Sequence, residues 1–362
     1  MEMSCVQAYG LFRGQIMHDT GCKDETPPQY RFRMHVTDRR FALFALNATA
    51  ELGSALAAAL KHPLAPHEER EFEDGEHKTR PLEAVRGADV FVLQSLHGGP
   101  EQSANDKLCR LLFFIGALKD AGATRVTALA PYLCYARKDR RTKPNDPVIT
   151  RYVASLFEAV GTDAVVTLDV HNPTAFENAF RCPTIALTAA PLFVDYVKRL
   201  ADERICVVSP DPGGTKRADV FHEALEAALG RDIGKAFVEK RRSAGIVSGE
   251  LFVGEASGAT ALVIDDLIST GGTLVRAARA AQKAGAKRVL ALVTHGLFMP
   301  GAEAVLRDPA IDRIVVTDSV PAFRLGASDA RTKIDTIAVA PLLAEAVRRL
   351  HAGETLTDLL VF

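Results

Sequence analysis

The sequence predicts an α/β fold made of two related domains, each a mainly parallel sheet flanked by helices, and three observations carry that expectation. From residue 88 onward short apolar runs alternate with helical patterns: Val90–Gln94, Asn105–Ala121, Val126–Pro131, Ile149–Ala159, Val165–Val170, and so on to Ile337–Ala340. Such alternation builds parallel strands joined by crossover helices. One helix-to-strand corner occurs twice, as Asp120-Ala121-Gly122-Ala123-Thr124-Arg125-Val126 and as Lys283-Ala284-Gly285-Ala286-Lys287-Arg288-Val289. A Gly-Gly turn after an apolar strand also occurs in both halves, at Gly98-Gly99 and Gly271-Gly272. Self-similarity of this kind marks an internal repeat.

Residues 1–40 are polar and turn-rich, with Gly21, Pro27 and Pro28, and carry one alternating stretch, Tyr30–Val36. The expectation there is an edge strand or appendage. The apolar run Phe41–Leu46 opens the regular pattern. In the helix beginning at Asn105, residues Leu108, Leu111, Leu112, Ile115 and Leu118 share one face, with Asn105 or Asp106 as cap and Gly122 as stop. That face lies against a sheet.

The 362 residues are enough for two cores. Lys and Arg total 44 against 45 Asp and Glu, so no global field points to nucleic acid or an anionic membrane. The longer apolar runs, Phe41–Leu46 and Ile337–Leu343, fall short of the roughly 18 residues of a bilayer span, and residues 1–20 lack the continuous apolar core of a secretory signal. A soluble, cytoplasmic protein is expected. Its six cysteines, Cys5, Cys22, Cys109, Cys134, Cys182 and Cys206, form no CxxC pair; they read as reduced packing residues.

Chemistry concentrates in Val263-Ile264-Asp265-Asp266-Leu267-Ile268-Ser269-Thr270-Gly271-Gly272-Thr273, an apolar strand entering two acids and then a turn of hydroxyls and glycines. Glycines let the backbone approach an anion, and the N–H groups opening the next helix favour a phosphate. Carboxylates beside a phosphate cradle suit sugar hydroxyls or a nearby magnesium ion, so a phosphorylated sugar is the expected guest. This stretch resembles the sugar-phosphate loop shared by type I phosphoribosyltransferases and ribose-phosphate pyrophosphokinases, the PRPP synthase family.

Other segments resemble the second family specifically. Lys240-Arg241-Arg242, ahead of the small residues and two glycines of 243–250, looks like its catalytic flexible loop. A Lys and Arg pair on a mobile loop suits phosphoryl transfer, where charge builds on non-bridging oxygens and closure excludes water. Phe72-Glu73-Asp74-Gly75-Glu76 is similar to the FPDGE motif that meets adenine in a neighbouring subunit, with Glu73 replacing the proline. Pro131-Tyr132-Leu133-Cys134-Tyr135-Ala136-Arg137-Lys138-Asp139-Arg140-Arg141 resembles PYYGYARQDRK, with Cys134 for a glycine and Lys138 for glutamine. Leu168-Asp169-Val170-His171 resembles LDLH, and Ser209-Pro210-Asp211-Pro212-Gly213-Gly214 resembles SPDxGG. The resemblance runs from about residue 41 to 355.

It implies two phosphoribosyltransferase-like domains, 41–190 completed by about 337–362, and 191–336 with the sugar-phosphate loop, after an extension over 1–40. It implies a ribose-phosphate diphosphokinase that takes ATP and ribose 5-phosphate to PRPP and AMP. Lys240 and Arg242 become catalytic residues. Asp265, Asp266, Ser269, Thr270, Gly271, Gly272 and Thr273 bind ribose 5-phosphate; Phe72, Asp74, Glu76, Arg137, Lys138 and Asp139 bind ATP; His171 and Asp211 hold Mg²⁺. A homo-oligomer, dimer or hexamer, is implied as well. A type I phosphoribosyltransferase would need one domain and leaves the KRR and FEDGE stretches unexplained. A catalytically silent regulatory paralogue would have lost loop or metal residues that are present here.

Overall fold

Runs such as Asp89–Leu93 and Thr260–Ile268 become strands because alternate side chains can be buried on opposite faces of a sheet. The computed structural model describes residues 39–200, 204–243, 246–326 and 329–360, with the side chains of 240–250 outside that description. The expected edge strand Tyr30–Val36 lies outside the described residues.

The first half runs β1 (Phe41–Ala45), α1 (Ala50–Leu60), β2 (His67–Glu71), β3 (His77–Pro81), β4 (Asp89–Leu93), α2 (Ala104–Asp120), β5 (Arg125–Leu129), α3 (Ile149–Ala159), β6 (Ala164–Leu168), α4 (Pro173–Ala179), β7 (Thr184–Leu187) and α5 (Ala190–Val197). The second half runs β8 (Ile205–Ser209), α6 (Thr215–Leu229), β9 (Gly234–Ser243), β10 (Ile246–Gly254), β11 (Thr260–Ile268), α7 (Gly272–Lys283), β12 (Arg288–Gly296), α8 (Ala302–Leu306), β13 (Arg313–Thr317), β14 (Ile334–Ile337) and α9 (Ala340–Ala352). Strands β1-β4-β5-β6-β7 form one parallel sheet. Strands β8-β11-β12-β13-β14 repeat that order in the second, which the β9–β10 hairpin extends beyond β8. The matching hairpin of the first half, β2–β3, stands as a separate two-stranded sheet.

The repeated corner has one geometry. Gly122 and Gly285 take φ of +90° and +89°. In each corner the glycine N–H bonds back three residues and the next N–H bonds back five, from Gly122 to Lys119 and Ala123 to Leu118, and from Gly285 to Gln282 and Ala286 to Ala281. This is a Schellman end, which glycine's freedom at positive φ permits. Asp163 and Asp312 then accept from the N–H groups of Val126 and Val289 at 2.7 and 2.8 Å.

Two expectations are corrected. The cap of α2 is Ser103, in a reciprocal capping box with Asp106, not Asn105 or Asp106. The final strand is Ile334–Ile337, and Ala340 already opens α9, with Pro341 in its first turn. The apolar run there belongs mostly to a helix face. One core joins both sheets through α1, α5, α6 and α9, with Leu56, Phe193, Phe221 and Val347 fully buried. Other clusters cover the outer faces under α2 and α3 and under α7 and α8.

Candidate active site

The C-terminal ends of β6, β8 and β11 meet across the two halves and open a cleft of about 890 Å³. Open α/β sheets place ligands at such strand ends. The lining includes Arg137, Lys138 and Asp139 from the segment after β5, His171 after β6, Asp211 after β8, and Asp265 with Asp266 from the C-terminal part of strand β11. These residues come from four segments distant in sequence and face a single space.

His171 and Asp266 join the halves directly: Nδ1 lies 2.6 Å from Asp266 Oδ2. Arg217, in the first turn of α6, sits 3.6 Å from both Asp265 Oδ1 and Asp266 Oδ1. Burial raises the Asp265 carboxyl well above the ordinary carboxylate range, and the neighbouring Asp266 charge adds to the effect. Burial also opposes the Asp266 anion, but the His171 hydrogen bond and the Arg217 guanidinium outweigh it and lower that carboxyl. The anion of the pair therefore resides on Asp266. Asp169, with φ of +38°, accepts from Ala189 N–H and Thr294 Oγ1 and so ties the end of β6 to β12.

Asp211 caps the turn that follows β8, its Oδ1 accepting from Gly213 and Gly214 N–H at 2.9 and 3.1 Å. With Nδ1 of His171 engaged by Asp266, Nε2 is left for the cleft, and its side chain is 43% exposed. One imidazole nitrogen and one carboxylate oxygen make a donor set that fits a hard divalent cation only when phosphate and water oxygens complete its shell. Among the described residues no three His, Cys, Asp or Glu side chains gather to hold a metal alone.

The Ser269–Thr273 turn continues directly from the acid pair but does not itself line the cleft. Gly271 takes φ of +83°, and a Cβ there would stand 2.8 Å from Leu306 Cδ2, so glycine is required twice over. Among the described residues the N–H groups of Thr270 and Gly271 donate to nothing, at the threshold of α7. Unpaired N–H groups before a helix form a nest for an anion.

Arg137 is exposed at the rim, with no hydrogen bond or ion pair among the described residues, so no protein group there holds its guanidinium in place. Lys138 is held by Asp146 at 2.7 Å, and the same carboxylate accepts from Thr142 and Lys143 N–H. Asn172 donates to Asp139 at 2.6 Å. The Phe72–Glu76 stretch forms the exposed turn of the β2–β3 hairpin, away from the cleft. Lys240 and Arg242 lie in β9, part of a hairpin rather than an irregular loop; their side chains lie outside the described residues. Sequence reasoning missed Arg217. Its signal was present, because a helix starting straight after Gly213-Gly214 turns its first-turn side chains back over the strand ends.

Comparison with known proteins settles the family. Residues 41–161 match the model of the N-terminal domain of ribose phosphate pyrophosphokinase, and 249–361 match that of the phosphoribosyl synthetase-associated domain. The chain is 38% identical over 320 residues to the ribose-phosphate pyrophosphokinase of Caldanaerobacter subterraneus subsp. tengcongensis, covering 88% of this chain and 96% of that one. The chain belongs to the ribose-phosphate pyrophosphokinase family. A eukaryotic member, ribose-phosphate pyrophosphokinase A of Dictyostelium discoideum, is 34% identical over 321 residues, covering 88% of this chain and 98% of its own. The crystal structure of phosphoribosylpyrophosphate synthetase from Mycobacterium smegmatis superposes with a TM-score of 0.77 at 33% identity, covering 87% of this chain and all of that one. The family's α/β architecture, parallel sheets flanked by helices, is thus the fold of this chain.

Proposed function

We propose that the chain transfers the diphosphoryl group of ATP to the C1 hydroxyl of ribose 5-phosphate, giving PRPP and AMP. The observation that carries this reading is the cleft in which His171 and Asp211 stand opposite the Asp265–Asp266 pair, with Arg137 and Lys138 at its rim. The C1 oxygen attacks the β-phosphorus in line, the bond from β-phosphorus to the AMP oxygen breaks, and the hydroxyl proton is released. The free N–H groups of Thr270 and Gly271, with the hydroxyls of Ser269, Thr270 and Thr273 and the backbone of Gly272, hold the 5-phosphate. Asp266, kept anionic by His171 and Arg217, accepts from the ribose hydroxyls together with Asp265 and orients the nucleophile. Arg137 and Lys138 grip the phosphate chain. Lys240 and Arg242 on the β9–β10 hairpin close over the charge that grows in transfer.

His171 Nε2 and the free oxygen of Asp211 would hold Mg²⁺ together with ATP. Bound there, Mg²⁺ would neutralise the donor's phosphate oxygens. The exposed turn with Phe72, Asp74 and Glu76 supports a homo-oligomer, dimer or hexamer, in which it reaches the adenine of an adjacent subunit. The same division of the chain into 1–40, 41–190 with 337–362, and 191–336 is supported by α9, whose His351 and Leu350 O meet Asp89 and Arg125 of the first sheet. A cytoplasmic setting fits the free thiols of Cys109, Cys134, Cys182 and Cys206.

The test is AMP release from ATP, dependent on ribose 5-phosphate and Mg²⁺, in the wild type and in Lys240→Ala. The reading expects rapid AMP formation in the first and a loss of at least about 100-fold in the second. No AMP from the wild type would make the chain a regulator. Consumption of PRPP with a nucleobase would make it a phosphoribosyltransferase.

A further inference from the structure

The segment between β5 and α3 carries Arg137, Lys138, Arg140, Arg141 and Lys143 and forms no helix or strand. A charged stretch of this kind is ordinarily a solvated loop with many conformations. Here one oxygen organises it. Asp146 Oδ2 accepts from Lys138 Nζ at 2.7 Å, from Thr142 Oγ1 at 2.7 Å, and from the N–H groups of Thr142 and Lys143 at 3.0 Å each. Asn145, immediately before it, takes φ of +65°, a left-handed turn that asparagine tolerates. The start of the loop is pinned separately, because Thr150 Oγ1 in the first turn of α3 donates to the carbonyl oxygens of Tyr135 and Lys138, at 3.0 and 3.3 Å.

This knot stands behind the cleft. Lys138, Asp139, Arg140 and Thr142 line the cleft, whereas Asp146 does not. Lys138 Nζ also lies 3.5 Å from Thr142 Oγ1, which itself donates to Asp146, so the three groups close a triangle and one ammonium N–H remains for the cleft. On the other side of the loop Asn172, which caps α4 beside His171, donates to Asp139 at 2.6 Å. The side chains of Lys138 and Asp146 are 30% and 23% exposed. An ion pair near the surface contributes little to stability by itself. What sets this one apart is that the same oxygen holds two main-chain N–H groups, so ammonium and loop backbone are fixed to one point. The Lys138 and Thr142 hydrogen bonds hold the Asp146 carboxyl below the ordinary carboxylate range, and it is an anion at neutral pH.

A lysine on its four-carbon stem loses rotamer freedom when it grips a ligand, and one already held in place loses less. Removing Asp146 would act on a polyanionic donor in two opposed ways. It takes a negative charge from the rim, which strengthens ground-state attraction, and it releases the ammonium from the geometry that in-line transfer needs, which slows the chemical step. Resting on the reading of the cleft as the ATP site, we propose that Asp146 is a positioning residue for diphosphoryl transfer, acting through Lys138 by aiming its ammonium at the donor's phosphate chain. A paired departure supports this role: Lys138 stands where the motif PYYGYARQDRK has glutamine, and a neutral amide there needs no carboxylate behind it.

The experiment is a double-mutant cycle on the full chain, with Asp146→Ala, Lys138→Gln and the two together, read as steady-state AMP release with ribose 5-phosphate and Mg²⁺. Asp146→Ala should lower kcat about tenfold while KM for ATP stays the same or falls, and Asp146→Asn, which keeps an oxygen for the same donors, should recover part of kcat. Adding Asp146→Ala to Lys138→Gln should change kcat by less than about twofold, because the group through which Asp146 acts is already gone. Equal losses of kcat in the two backgrounds would overturn the proposal and leave Asp146 a staple of the loop, and so would a raised KM for ATP with kcat unchanged. Should Asp146→Ala not fold, the same cycle with Asp146→Asn decides by the same criterion. A wild type that releases no AMP would sink the proposed function and this role with it, whereas an active wild type with equal losses in both backgrounds sinks this role alone.

Discussion

The two halves share strand order, hairpin placement and a helix-to-strand corner down to its hydrogen bonds, yet only one carries acids where a sugar would sit. In the second half β11 ends in Asp265 and Asp266, facing His171 across the cleft. In the first half the same strand positions, counted from the pairs Asp89 with Arg125 and Thr260 with Arg288, hold Gln94 and Ser95, both buried. Val320 takes the place equivalent to His171 by the same count along β6 and β13. Topology supplies strand ends and a glycine turn; the side chains at two or three positions decide whether those ends form a cleft or a sealed seam.

The largest effect should come from removing the acids. Asp265→Asn with Asp266→Asn should lower kcat/KM for ribose 5-phosphate by about 1,000-fold, because hydrogen bonds to the reacting sugar and the network through His171 are lost together. Steady-state AMP release would measure it. Putting an acid into the sealed half should damage stability and leave chemistry alone. Ser95→Asp buries a carboxylate against the Ser319 carbonyl oxygen and should cost about 3 kcal/mol in urea unfolding. A variant as stable as the wild type would mean that the seam can open like the cleft.

Next comes a pH effect from the sealed half. Burial, with the Lys107 ammonium beside it, holds His97 at about 4 in the folded chain against 6.5 when unfolded, so the unfolded state binds the extra proton between those values. Its contribution is fully present above pH 6.5 and is lost as pH falls toward 4, for a total of up to about 3 kcal/mol. Thermal unfolding from pH 7 to 4.5 should show this fall, and His97→Gln should flatten it. The smallest effect belongs to Arg217. Arg217→Met should raise KM for ribose 5-phosphate about tenfold with a lesser change in kcat, and Arg217→Lys should recover part of it.

Much of this was legible in the sequence because it depends on local pattern. Apolar runs between helical stretches marked β4, α2, β5, α3 and β6, and the repeated Ala-Gly-Ala corner exposed the duplication. The hairpins were not legible. His67–Glu71 reads HEERE, a polar strand held by cross-strand pairing such as Glu68 with Arg80 rather than by a buried face. The glycine loop could be read because its requirement is local, whereas the His171–Asp266 contact joins residues 95 apart and Arg217 acts through helix geometry.

In this reading the second half alone grips the sugar. A crystal structure of the full chain with ribose 5-phosphate tests it most directly. The 5-phosphate is expected on the N–H groups of Thr270 and Gly271 and the ribose hydroxyls on Asp265 and Asp266. A ribose ring seated at Gln94–Gly99, with the Ser269–Thr273 turn empty, would contradict it.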